Sequence, residues 1–156
     1  MTFIAFYGTL RSGESNALTP ATLDWLRQRS LGPCFLPGVL WAVGAAGQYP
    51  GLTEGAGRVV AELFSLAPDR LAARRVLQEL DRYEEYFPGD PGGSLYLRRR
   101  LFAREPRPGS WLRLEGARGG RVGAFAYLYN RPIDRLATPR IADGDWKSWT
   151  AAGVKS

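Results

Sequence analysis

The sequence contains no histidine. That excludes His-based triads, zinc sites built on imidazole and histidine general bases, and leaves carboxylates, tyrosines, lysines and backbone groups for any catalysis. Cys34 is the only cysteine, so an intramolecular disulfide is excluded. It lies between apolar neighbours in GPCFLPG and reads as a small buried hydrophobe. No apolar run approaches the ~18 residues of a membrane span. The first residues show neither a basic n-region nor an apolar h-region of ordinary length. The expectation is a cytoplasmic chain without a membrane partner. There is no G-x-G-x-x-G and no Walker A sequence, so a nucleotide site has no support.

What is present fits a soluble globular chain. At 156 residues, 45% hydrophobic and 23% charged, one domain spanning 1–156 is expected, long enough to bury a core. Lysine is confined to Lys147 and Lys155, so nearly all of the basic charge is arginine. Residues 98–140 hold 11 arginines against Glu105, Glu115 and Asp134, a local balance of +8, which leaves −2 for the rest of the +6 chain. Such asymmetry is one mark of an anionic partner. These arginines are spread over at least three segments and follow no single helix face, so no nucleic acid is expected.

Residues 3–7 read as a strand, followed by a turn bracketed by Gly8 and Gly13. In 19–29, TPATLDWLRQR, Thr19 is a natural N-cap and Pro20 suits the first helical position. The Gly-, Pro- and Ala-rich stretch 33–57 suggests strands with loops, and 58–66 a strand. Pro68 opens a second helix whose apolar stripe is Val76, Leu77 and Leu80. FPGDPGGS at 87–94 is a loop with little to pack, and its place just after Glu84 leads us to expect it at the border of any site there. LYLRRRLFA and RVGAFAYLY are strands, WLRLE at 111–115 a shorter one, and the tail from about 132 is irregular, anchored by Trp146 and Trp149. The expected fold is α/β of the α+β type: a mixed, mostly antiparallel sheet curled into a small barrel with flanking helices.

Two features can carry chemistry. In Tyr7-Gly8-Thr9-Leu10, a glycine permits unusual backbone angles and close ligand approach, and successive N–H groups can form an anion nest. A plain turn gives the same tetrapeptide. Glu84 falls four residues after Leu80 and seven after Leu77, on the apolar stripe, with Glu85 about 100° round toward solvent. A carboxylate aimed at an apolar cavity is desolvated and its pKa rises, which suits a general acid/base. If the helix frays first, Glu84 is an ordinary surface residue.

Together these segments resemble the γ-glutamylcyclotransferase-like superfamily, in its small bacterial branch related to γ-glutamylamine cyclotransferases. FYGTLRSG is similar to the N-terminal signature; QYPGL to a Tyr-Pro-Gly/Ala segment; VVAELFSL to V-x-G-E-L/V-Y/F with Ala61 for Gly. LDRYEEY is similar to L-D-x-x-E-G-Y with Glu85 in place of the glycine, and LYLRRRL to Y-x-R-x-x-V. AFAYLYN and DGDWKSW are similar to the closing aromatic strand and the G-D-W tail. The matches run in order from about residue 3 to 149.

The resemblance implies a substrate-binding set of Tyr7, Gly8, Thr9, Leu10, Tyr49, Tyr96, Arg98 and Tyr129, with Glu84 as the acid/base. It implies no cofactor and no metal. The expected partner is a small γ-glutamyl compound, cyclised to 5-oxoproline with release of an amine or amino acid. Arginine is suited to the carboxylates of a dipeptide-like substrate. The chain is expected to be a monomer or weak homodimer. A non-catalytic module for an acidic metabolite, and a nucleic-acid-binding protein, stand as the alternatives.

Overall fold

The computed structural model describes residues 2–11 and 18–152. Strand β1 is Phe3–Phe6, β2 Ser30–Val43, β3 Tyr49–Ser65, β4 Tyr96–Arg104 and β5 Arg121–Tyr129. Helix α1 is Pro20–Arg27, α2 Arg70–Tyr83 and α3 Trp146–Ala151. The strands close into a barrel in the order β1-β3-β2-β4-β5. β1 runs antiparallel to β3 and parallel to β5, and every other pairing is antiparallel. The mixed, mostly antiparallel barrel is thus the observed architecture.

Strand periodicity divides the core in two. Phe3, Ala5 and Tyr7 join Cys34, Leu36, Leu63, Ala124 and Trp146 inside the barrel. Ile4 and Phe6 point the other way, to meet Leu26 of α1 and Val76 and Leu80 of α2. Cys34 is fully buried, and desolvation pushes its thiol up to about 12, as befits a core side chain.

The helices begin where their caps dictate. Thr19 accepts the Thr22 N–H with Pro20 at the first helical position. Helix α2 starts later than expected: Asp69 is its N-cap, accepting the Ala72 N–H at 3.0 Å, and Pro68 precedes the cap. Glu79 on α2 accepts the Thr19 N–H and the Thr22 hydroxyl, pinning the start of α1 to the middle of α2.

One further expectation is met and two are corrected. Residues 33–57 form strands with a connecting turn, as expected: β2 and β3 make one long hairpin around the turn at 44–48 and accommodate Gly and Pro residues through register shifts beside Gly32 and Gly38. WLRLE is a run of turns, because Glu105 accepts the N–H groups of Gly109 and Trp111 and folds the chain back. The tail carries a helix, α3, capped by Asp145 and anchored by buried Trp146.

Candidate active site

At one end of the barrel, the exit of β1, the turn between β2 and β3 and the C-terminal end of α2 converge on a cavity of about 460 Å³. Tyr7, Gly8, Thr9, Leu10, Tyr49, Glu84, Tyr96 and Tyr129 line it, so all but one of the residues singled out from the sequence share a single enclosure. Six of the seven tyrosines of the chain are in its wall.

Arg98 is the exception. Its guanidinium grips the Asp81 carboxylate from behind the wall, Nε to Oδ1 at 3.0 Å and Nη2 to Oδ2 at 3.2 Å. The same carboxylate accepts the Tyr127 hydroxyl at 2.7 Å. Arg98 therefore ties β4 and β5 to α2 and is not among the described residues lining the cavity.

The turn after β1 owes its glycine to space. Gly8 is not among the residues of positive φ; a Cβ there would overlap Cγ of Pro50 on β3. Pro50 is in turn held by the Tyr96 hydroxyl, which donates to its carbonyl at 2.7 Å. The Arg11 N–H closes the turn on the Gly8 carbonyl, and among the described residues the N–H groups of Gly8 and Leu10 meet no acceptor. Two backbone donors are thus left at the cavity wall, as an anion nest requires.

Glu84 follows the last residue of α2 and acts as its C-cap. The chain does not fray there. The Tyr86 N–H returns to the Asp81 carbonyl at 2.8 Å and the Glu85 N–H to the Arg82 carbonyl at 3.2 Å, the paired bonds of a Schellman closure. Water reaches part of the Glu84 side chain through the cavity. Protein still encloses it densely enough that lost hydration pushes its carboxyl from 4.5 up to about 8. No hydrogen bond or ion pair to a described residue engages that carboxylate.

Burial also raises Tyr7, Tyr96 and Tyr127, assisted by the charge of Glu84, so each remains a proton donor. These hydroxyls serve the frame. Tyr7 donates to the Tyr127 carbonyl and accepts the Leu52 N–H, joining β1, β5 and β3. Tyr83 was not anticipated, although it lies on the Val76–Leu80 stripe at helical spacing; it lines the cavity, and its hydroxyl shares a 3.1 Å hydrogen bond with Thr9. Tyr127, expected near the site beside Tyr129, does line the cavity; Asp81 was missed, because its role depends on long-range pairing with Arg98 and Tyr127.

The loop FPGDPGGS contributes no residue to the described lining, contrary to expectation. Ser94, fully buried, holds it shut: its hydroxyl accepts the Phe87 N–H and donates to the Asp90 carbonyl. Glu85 is exposed as expected, yet it also belongs to the cavity edge.

The same fold recurs in solved structures of low sequence identity. An uncharacterized protein from Pyrococcus horikoshii superposes with a TM-score of 0.57 at 16% identity, over 99% of this chain and 97% of its own. YkqA from Bacillus subtilis gives 0.58 at 20% identity, over 99% of this chain and 43% of its own. The protein ytfP from Escherichia coli gives 0.51 at 24% identity, over 93% and 96%. No curated protein matches significantly in sequence. A family model described as gamma-glutamyl cyclotransferase, AIG2-like, matches residues 4–148, nearly the whole chain, and the protein belongs to that family.

Proposed function

We propose that the cavity binds a γ-glutamyl amide and cyclises it to 5-oxoproline, releasing the amine, with Glu84 moving the proton. The observation that carries this reading is one carboxylate, lifted to about 8 by burial, in the same enclosure as two backbone N–H groups that meet no acceptor among the described residues.

The substrate brings its own nucleophile. Its α-amine attacks the γ-carbonyl carbon, the new C–N bond closes a five-membered lactam, and the amide C–N bond breaks. That α-amine stands beside a free carboxylate and is protonated at neutral pH. Glu84, in the fraction ionised near neutral pH, accepts that proton and returns it to the departing nitrogen. Burial brings the Glu84 carboxyl nearer the range of the amine, so the transfer costs less free energy than one to a hydrated carboxylate. The N–H groups of Gly8 and Leu10 receive the substrate carboxylate or the developing oxyanion. The tyrosine wall holds the substrate folded, so that attack is intramolecular and the entropy of encounter is already met.

The test is 5-oxoproline release by Glu84→Gln beside the parent and Glu115→Gln, an exposed residue on a distant turn. Loss of the proton acceptor should lower turnover by at least about a hundredfold, the low end of general acid–base contributions. Binding of a non-cyclisable analogue should persist. Parental turnover in Glu84→Gln would refute the mechanism.

A further inference from the structure

We propose that Glu85 makes the open end of this cavity a charge filter, selecting γ-glutamyl amides whose departing amine carries a second positive charge and rejecting those that carry a carboxylate. The proposal rests on the cyclisation reading above and names the class of leaving group, which that reading leaves open.

The first observation is the character of the lining. Among the described residues it comprises the carboxyl groups of Glu84 and Glu85, six tyrosines, Thr9, two glycines and apolar side chains, with no arginine or lysine. This is notable in a chain with 21 basic residues. The arginine nearest in sequence to the turn, Arg11, is held away by Asp145 at 2.8 Å, and Arg98 is held by Asp81. The arginine–carboxylate contact expected for a dipeptide-like substrate therefore has no donor among the described lining residues. Carboxylates and tyrosine faces together attract ammonium groups.

The second observation is the backbone of Glu85. Its φ of 52° lies in the left-handed region, where it is the one non-glycine residue among those described. Helices that close in this way normally place glycine there, because a Cβ is strained in that conformation. The backbone groups of Glu85 are fully used: its N–H reaches Arg82 and its carbonyl accepts the Leu95 N–H at 3.0 Å. Its carboxylate has no hydrogen bond or ion pair with any described residue. A charged side chain thus occupies a position that favours glycine, at the edge of a cavity, without an ion pair to any described residue. Strain retained at a cavity points to a role for the side chain.

The third is direction. Tyr7, Tyr96 and Tyr127 form the buried wall, whereas Tyr49 is 55% exposed and Glu85 is exposed. A scissile amide at Glu84 leaves its amine substituent to run outward along Glu85 and Tyr49. A terminal ammonium there gains an ion pair and aromatic faces. A terminal carboxylate meets an unpaired like charge.

The test uses three γ-glutamyl amides of matched length, made from diaminobutane, pentylamine and aminopentanoate. They end in an ammonium, a methyl and a carboxylate. In 5-oxoproline release at low salt, kcat/KM should fall in that order, by at least about tenfold from first to last, and the spread should narrow with added salt. Glu85→Gln keeps the strained backbone and the side-chain length but removes the charge, and should compress the spread at least about threefold. Glu85→Gly removes both charge and strain. It should compress the spread equally while raising the melting temperature. The glutaryl amides of the same three amines lack the nucleophile, and their binding by calorimetry should follow the same order. A flat or reversed order in binding overturns the filter even if turnover is seen. An unchanged spread in Glu85→Gln overturns it as well. Release of no 5-oxoproline from any amide, with the binding order intact, overturns the cyclisation reading and leaves the filter standing. Failure of all three glutaryl amides to bind overturns both.

Discussion

The Tyr127 hydroxyl meets the Asp81 carboxylate at 2.7 Å, three residues before Glu84 on the same helix. Through its carbonyl, Tyr127 also receives the Tyr7 hydroxyl, at the residue that precedes Gly8. One residue on β5 therefore fixes both the helix that presents the carboxylate and the turn that presents the backbone donors. The separation between them is set by a hydrogen-bonded strut.

Asp81 and Arg98 should be energetically coupled. Both are largely buried, with side chains 12% and 21% exposed. Asp81→Asn leaves Arg98 without its counter-charge, and Arg98→Met leaves Asp81 without its fork. Each should cost roughly 1–3 kcal/mol, less than a fully buried pair because some water reaches both groups. The double variant should cost clearly less than the two together. Denaturant unfolding of the four proteins measures this, and strict additivity would show that the pair is incidental.

Gly8→Ala should destabilise the turn through space rather than backbone angle. Its new Cβ overlaps Cγ of Pro50, and moving Pro50 disturbs the carbonyl that Tyr96 holds. Overpacking of this kind costs about 1–3 kcal/mol. Adding Pro50→Ala removes the obstructing Cγ, so the pair should recover part of the lost stability. If Pro50→Ala gives no recovery, the glycine is required for conformation and the steric account fails. Melting temperatures of the two single variants and the pair decide between them.

The legible parts of this molecule were those set by local rules. Thr19 and Pro20 announce α1, and Val76 and Leu80 at helical spacing announce α2 and the direction in which Glu84 faces. The β2–β3 hairpin was obscured by the residues that make its bulges possible. Gly32, Pro33, Pro37 and Gly38 have low strand propensity, and it is the pairing with β3 and closure of the barrel that override it. WLRLE failed in the opposite sense: its apolar residues suit a strand, yet the capture of two N–H groups by Glu105 bends it into turns while Trp111 fills the barrel. Within the site, Glu84 and the Gly8 turn could be read from local pattern. The diversion of Arg98 to Asp81 could not, because it depends on β4 and α2 being side by side.

Glu84 should also leave a signature in stability that requires no substrate. Its carboxyl is raised to about 8 in the folded chain, from 4.5 when hydrated, because burial penalises the ionised form. Below the lower value both folded and unfolded chains hold the proton, and the group exacts no penalty. As pH rises between the two values the unfolded chain releases its proton first, so the folded chain binds more protons and loses stability. Above about 8 both are ionised and the penalty is complete. Glu84→Gln has no such proton, so its stability minus that of the parent should be flat below about 4.5, climb through neutral pH and level off above about 8. The climb should amount to a few kcal/mol at most, at about 1.4 kcal/mol for each tenfold gain in proton affinity, reduced by the water that enters through the cavity. Other titrating groups are common to both proteins and largely cancel in the difference. Denaturant midpoints of the two proteins, followed from acid to mildly alkaline pH, measure it. A difference that stays flat across this range would mean that Glu84 ionises like a surface carboxylate, and the raised basicity on which the proposed proton transfer rests would be absent.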